Sequence, residues 1–115
     1  PKGKVLKTVH PVTDQLEPEE LDPSQIVAGS PETSELTLAE SADGQISGLW
    51  RCTPGTVTDT EVEESFLIIT GKATLTYEDG RELVLEPGVT HRFKGGENTT
   101  WTVDETLLKA YWIRG

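Results

Sequence analysis

The stretch GTVTDTEVEESFLIITG, residues 55–71, decides how this chain folds. It ends in an apolar, β-branched run closed by Gly71, which is typical of a buried strand. A cluster of threonines and acids, residues 56–64, comes immediately before that run. The pattern leaves three interpretations open: a metal site without its usual ligands, a site rebuilt from carboxylates, or a pocket that needs no metal.

Composition narrows the choice of partners. The 115 residues carry 20 acidic and 10 basic side chains, a formal net charge of −10. Because such an acidic surface repels nucleic acid and anionic lipid, we expect neither as a partner. Cys52 is the only cysteine, and no run is apolar enough to be a leader or to span a bilayer. We therefore predict a cytoplasmic protein without disulfides.

Strand signals follow one another at short intervals with no convincing long helix between them. Residues 1–34 are interpreted as a separate region: a first strand over 4–10, then a proline- and acid-rich extended arm with a short strand near 25–28 and room for one helical turn. Residues 35–115 are interpreted as one all-β barrel or sandwich. The predicted strands are 35–40, 45–52, 64–70, 72–78, 81–86, 89–93, 99–104 and 106–113, with a reversal at Asp104-Glu105.

Two of these strands are apolar on both faces. Phe66 and Ile68 alternate with Leu67 and Ile69, and the last strand behaves in the same way. A strand that is apolar on both faces is usually covered on both. We therefore expect a homodimer, or the N-terminal arm, to cover the second face.

The ordered series of motifs resembles the cupin superfamily. Glu64, six residues and Gly71 match the end of the first cupin motif, and Gly88, five residues and Lys94-Gly95-Gly96 match the frame of the second. GLWRCTPG, residues 48–55, with the later Pro87-Gly88, Trp101 and Lys109, is similar to small cupins related to ureidoglycine aminohydrolase. The resemblance implies a jelly-roll (double-stranded β-helix) barrel with an extended N-terminal arm.

The same resemblance indicates which positions would correspond to the metal ligands. Counting back from Gly71, the two first-motif histidines correspond to Thr58 and Thr60, and the second-motif histidine corresponds to Thr99. Neutral hydroxyls are poor ligands for a transition metal, so we expect no metal and no other cofactor. A second register, counted from Gly55, would place Glu61 and Glu63 in the histidine positions, where carboxylates suit a hard cation. The first register is favoured, and it turns Glu61 and Glu63 away from the interior.

Glu64 is the leading catalytic candidate because a carboxyl in an apolar barrel must be paired, hydrogen-bonded or protonated. His91, which shares a strand face with Phe93, is a second candidate for proton transfer. A buried ion pair between Lys109 and Glu64 is a structural alternative. The predicted ligand-binding residues are the three threonines named above and four aromatic residues, Trp50, Tyr77, Trp101 and Tyr111.

These observations predict a metal-independent protein that binds a small organic ligand or substrate in its barrel. If it is an enzyme, the expected chemistry is proton transfer, as in isomerisation, elimination or hydrolysis. The alternative is a non-catalytic binding or accessory module whose pocket only senses a ligand.

Overall fold

The computed structural model describes residues 11–114, and within them nine strands form one curled antiparallel sheet. Two short 3₁₀ turns, Val12–Gln15 and Pro23–Gln25, lie in the arm. This confirms the all-β barrel predicted from the sequence. The strands are β1 (Glu17–Glu19), β2 (Ile26–Gly29), β3 (Thr33–Glu40), β4 (Gln45–Cys52), β5 (Gly55–Thr60), β6 (Glu64–Tyr77), β7 (Glu82–Leu85), β8 (Thr90–Phe93) and β9 (Asn98–Arg114).

The two long strands, β6 and β9, pair with each other along most of their length. On its other edge, β9 pairs first with β5 and then with β4, and β6 pairs first with β8 and then with β7. β3 adds to β4, and the arm supplies the outermost strands, with β1 on β3 and β2 on β5. The arm is therefore part of the sheet that builds the barrel.

The predicted strand breaks at Gly71 and at Asp104-Glu105 are wrong, because β6 and β9 each continue through them. Gly71 has φ +98°, and a Cβ at this position would clash with the carbonyl oxygen of Thr106 on β9. The missing side chain lets the two strands approach, and the pairing register shifts around this point. Gly71 therefore bends the strand pair instead of ending it.

Two further segments differ from the sequence-based prediction, and a third cannot be compared. β5 was not predicted as a strand, although its threonines suit one. The helical turn allowed near residues 16–23 is replaced by β1, which pairs with β3. The strand predicted over residues 4–10 lies outside the described residues.

The core lies between the inward faces of β4 to β9 and includes Phe66, Ile68, Leu75 and Leu107, each no more than 1% exposed. The outward face is covered less completely, since Ile69 is 40% and Trp112 51% exposed. Among residues 11–114, no helix is long and apolar enough to cross a membrane.

Candidate functional site

A buried ion pair joins the beginning of β6 to the second half of β9. Lys109 Nζ donates to Glu64 Oε2 at 2.8 Å, and each side chain is only 8% exposed. Strand alternation explains Lys109, because it lies on the same inward face as Leu107 and Tyr111. A buried charge is tolerated only when it is paired, so the two residues depend on each other.

Aromatic rings surround the Lys109 ammonium. Its Nζ lies 4.6 Å from the ring centroid of Trp101, 4.9 Å from that of Trp50 and 5.1 Å from that of Phe66. Ring faces carry partial negative charge, so they stabilise a cation that has left water. The rings also hold the ammonium in a fixed position, with one of its three N–H donors used by Glu64.

Glu61 is buried beside this pair, with 5% of its surface exposed. Thr99 Oγ1 donates to Glu61 Oε2 at 2.5 Å, and Trp101 Nε1 donates to the same oxygen at 3.0 Å. Burial raises the pKa of Glu61 to about 7, and the neighbouring Asp59 carboxyl raises it further, against the opposing effects of the Thr99 hydrogen bond and the Lys109 charge. A carboxyl with a pKa near neutrality can both give and take a proton.

The prediction that Glu61 points away from the interior is therefore wrong. On β5, Val57 is buried against Trp101, Thr58 is half-buried and Thr60 is exposed. Thr58 Oγ1 donates to the main-chain carbonyl of Gln25 at 3.4 Å. Thr60 Oγ1 donates to Asn98 Oδ1 at 2.8 Å on the exposed side.

Glu63 does remain near the surface, as predicted. Arg92 Nη2 donates to Glu63 Oε1 at 3.0 Å, and the Glu63 side chain is 40% exposed. Glu61 and Glu63 thus point to different environments and do not converge on a hard cation.

The ion pair and Glu61 open onto a cavity of about 260 Å³. Three more carboxyl groups reach its lining: Glu19 on β1, Glu35 on β3 and Asp59 on β5. Burial raises the pKa of Glu19 to about 7, and the direct contact with the carboxyl of Glu35 adds to the rise. Burial also raises the pKa of Asp59. The remaining lining is mixed: Leu21, Gln25, Trp50, Val57, Thr58, Thr60, Val62, Trp101, Tyr111 and Ile113.

Sequence reasoning missed these three acids. Glu35 had a usable signal, because it lies opposite Trp50 in the β3–β4 hairpin and so shares the inward face. Asp59 could have been found from strand parity once β5 was recognised. Glu19 had no signal in the sequence, since its position depends on how the arm folds back onto β3.

His91 and Tyr77 lie apart from the cavity. They form a hydrogen bond between Tyr77 Oη and His91 Nε2, and the His91 ring packs edge-on against Phe66 and Phe93. Burial lowers the pKa of His91, partly offset by the charge of Glu97. Of the predicted site residues, the structure therefore brings six together at the cavity: Trp50, Thr58, Thr60, Glu64, Trp101 and Tyr111. Thr99 lies behind Glu61, and His91 and Tyr77 lie outside the cavity lining.

The donor set does not fit a transition metal. Glu64 accepts from Lys109, and Glu61 accepts from Thr99 and Trp101. Among residues 11–114 no three His, Cys, Asp or Glu side chains converge in a way that could hold a metal ion. The Lys109 ammonium, paired with Glu64, would also repel a metal cation bound to that carboxylate.

A curled antiparallel barrel with a cavity lined by residues of β1, β3, β4, β5, β6 and β9 fits the cupin class of proteins. More narrowly, residues 40–111 match the EutQ-like cupin domain, and the chain belongs to that family. No curated protein matches the sequence significantly.

Solved structures show the same fold. A DUF861-family protein of unknown function from Pseudomonas syringae pv. tomato is 26% identical, with a TM-score of 0.76 over 85% of this chain and 43% of its own. The ethanolamine utilization protein Q of Salmonella typhimurium is 11% identical, with a TM-score of 0.62 over 72% of this chain and 69% of its own. The EutQ protein of Clostridium difficile is 16% identical, with a TM-score of 0.65 over 75% of this chain and 65% of its own. The chain thus spans less than half of the Pseudomonas protein.

Proposed function

We propose that this cupin binds a small organic molecule in the cavity beside Glu61, Glu64 and Lys109, and transfers a proton to or from it without a transition metal. The observation that carries the proposal is Glu61, a buried carboxyl at the cavity wall whose pKa is raised to about 7. A general acid or base works best when its pKa is near the working pH.

The roles of the two glutamates differ from the sequence-based expectation. Glu64 is engaged by Lys109, so we assign it to holding the ammonium in place. Glu61 is assigned to proton transfer, and Thr99 and Trp101 fix its orientation. The cavity is slightly smaller than the roughly 300–1,000 Å³ sites of drug-sized ligands, which supports a small metabolite.

We also propose membership in the ureidoglycine-aminohydrolase-like subgroup, on the GLWRCTPG stretch and its downstream motifs. The ureidoglycine reaction itself is not part of the proposal, because the residues present do not fit the metal that the subgroup resemblance implies. The proposed reaction classes are isomerisation, elimination and hydrolysis of other small molecules.

The three tryptophans provide a test of binding. Trp50 and Trp101 line the cavity, whereas Trp112 lies on the outer face. In a ¹⁵N-indole NMR spectrum, titration with small organic fragments should shift the Trp50 and Trp101 signals and leave that of Trp112 in place. Shifts confined to Trp112, or none, would contradict the proposal. Elemental analysis of the purified protein tests metal independence, and a stoichiometric transition metal would refute it.

A non-catalytic binding module is the second candidate, favoured by the two hydrogen bonds that already satisfy one oxygen of Glu61. The two can be separated by incubating the protein with a mixture of small metabolites in D₂O. An enzyme that moves protons incorporates deuterium into one of them, and Glu61→Gln abolishes that incorporation. Binding with no incorporation by the wild-type protein would support the module instead.

We further propose that a second copy of the chain covers the outer face around Ile69 and Trp112, and that the protein works in the cytoplasm as a homodimer. The support for the dimer is the exposure of these two large apolar side chains on adjacent long strands. Light scattering should give twice the chain mass. A monomeric mass would refute the dimer.

A further inference from the structure

The charges that line the cavity are unbalanced. Its described lining includes five carboxyl groups and one ammonium, that of Lys109. Glu64 already pairs with this ammonium at 2.8 Å. Four carboxyl groups, those of Glu19, Glu35, Asp59 and Glu61, therefore face the same small space without a cation of their own among residues 11–114.

These four groups meet as two pairs from different parts of the chain. Glu19 on β1 contacts Glu35 on β3, and Asp59 on β5 contacts Glu61 in the following loop. Carboxyl groups in contact cannot all be ionised unless a positive charge lies between or beside them. Protons meet that need only up to about pH 7, since the pKa values of Glu19 and Glu61 are raised to about 7, and above that pH a positive charge is missing.

A second observation concerns the unused hydrogen-bonding capacity of a buried side chain. Only 5% of Glu61 is exposed. The hydrogen bonds from Thr99 and Trp101 both reach the same oxygen, Oε2. No N–H or hydroxyl donor among the described residues is seen at Oε1, and the Asp59 carboxyl in contact with Glu61 has no proton to donate once both groups are ionised. A carboxylate oxygen at a cavity wall without a donor is an acceptor available to a ligand N–H.

We infer that the cavity recognises a small molecule carrying a protonated amine, which the Glu19–Glu35 and Asp59–Glu61 pairs bind as acceptors. The inference rests on the proposed function and names its ligand class. An ammonium supplies both the missing positive charge and the missing N–H donors. An anionic ligand is disfavoured, because it would add to the carboxyls already present while Lys109 is matched by Glu64.

A matched series of probes tests the charge of the ligand. n-Butylamine, n-butanol and butyrate are similar in size and differ in charge, and the Trp50 and Trp101 indole signals report their binding. At pH 8 butylamine should bind at least about tenfold more tightly than butanol, which corresponds to about 1.4 kcal/mol, and butyrate least tightly. Butylamine should also bind more weakly at pH 6, where protons on Glu19 and Glu61 compete with it.

The outcomes separate this inference from the proposed function. Binding of butanol or butyrate as tight as that of butylamine overturns the amine inference and leaves the pocket proposal standing. Tighter binding of Ca²⁺ than of butylamine overturns it in favour of a hard-cation site. If none of the small organic probes moves the two indole signals, both proposals fail.

Amino-acid substitutions test which carboxyl groups produce the preference for butylamine. Glu19→Gln combined with Glu35→Gln should reduce the preference for butylamine over butanol severalfold, because one of the two acceptor pairs loses its charge. Glu82→Gln is the matched control, since Glu82 is exposed on β7 and lies outside the cavity lining. An unchanged preference in the double variant, or an equal loss in the control, overturns the assignment of the pairs.

Discussion

The two halves of the β6–β9 pair are built from the same two strands and yet are opposite in character. One half, which we call the apolar end, places Ala73, Leu75 and Val103 inward, each no more than 3% exposed. The other half, the charged end, places Glu64 and Lys109 inward at comparable burial. Gly71 lies between them, where the strands bend. The comparison teaches that burial alone does not distinguish a packed core from a site.

The two ends differ in how much their buried side chains contribute to the free energy of folding. Burial of apolar side chains stabilises the fold with no partner required. A buried ion pair contributes little net stability, since desolvation offsets its attraction, but losing one partner is severe. The charged end is therefore a part of the barrel whose residues contribute little to stability, which is consistent with the ligand binding proposed above.

The largest expected effect comes from breaking the ion pair. Lys109→Met should destabilise the protein by about 3–5 kcal/mol, because Glu64 is left buried and unpaired. Adding Glu64→Leu should recover most of this loss, since the charge is then gone. Urea denaturation of the single and double variants measures both values. A loss below about 1 kcal/mol in the single variant would show that the charged end is not sealed from water.

A core truncation on the same strand should cost nearly as much and act differently. Leu75→Ala removes a fully buried side chain from the apolar end, and we expect a loss of about 2–5 kcal/mol. The Trp50 indole shift produced by butylamine should not change, because Leu75 does not line the cavity. If truncation at the apolar end weakens ligand binding as much as it weakens folding, the two ends are not independent.

The charged end should also make stability depend on pH. Glu61 has a folded pKa raised to about 7, so its contribution to stability is fully present below its unfolded pKa of about 4.3 and is lost as pH rises through about 7. Glu61→Gln keeps the acceptor oxygen for Thr99 and Trp101 and removes the ionisation. Relative to wild type, the variant should gain on the order of 2 kcal/mol between pH 5 and pH 8.

Thermal denaturation of both proteins across this pH range measures that gain. Leu75→Ala serves as the control, because an apolar truncation shifts stability equally at every pH. A constant difference between Glu61→Gln and wild type would mean that Glu61 does not titrate in this window.

The directions of several side chains on the two long strands could be predicted from the sequence. Alternation in residues 64–70 assigned Phe66 and Ile68 to the interior, and both are 1% exposed. The same parity placed Lys109 with Tyr111, which allowed the ion pair with Glu64. These predictions succeed because each rests on the period of a single strand.

The charged end could be predicted only in part, because its residues come from several segments. Parity does not carry across a loop, so counting back from Gly71 through residues 61–63 wrongly turned Glu61 away from the interior. Glu61 lies in that loop, where side-chain direction follows contacts with Thr99 and Trp101 and not alternation. Glu19 depends on the docking of the arm.

The smallest effect is expected at Glu63, a carboxyl only two residues from Glu61. Comparing the two positions tests whether burial or net charge determines the behaviour of the charged end. Glu63→Gln removes the exposed pair with Arg92, and such pairs contribute about 0–1 kcal/mol. The variant should lose no more than this at any pH and should bind butylamine as wild type does, because Glu63 does not line the cavity. Denaturation at pH 5 and pH 8 with an indole titration measures both. Equal effects of Glu63→Gln and Glu61→Gln would mean that net charge, and not the buried position of Glu61, governs the charged end.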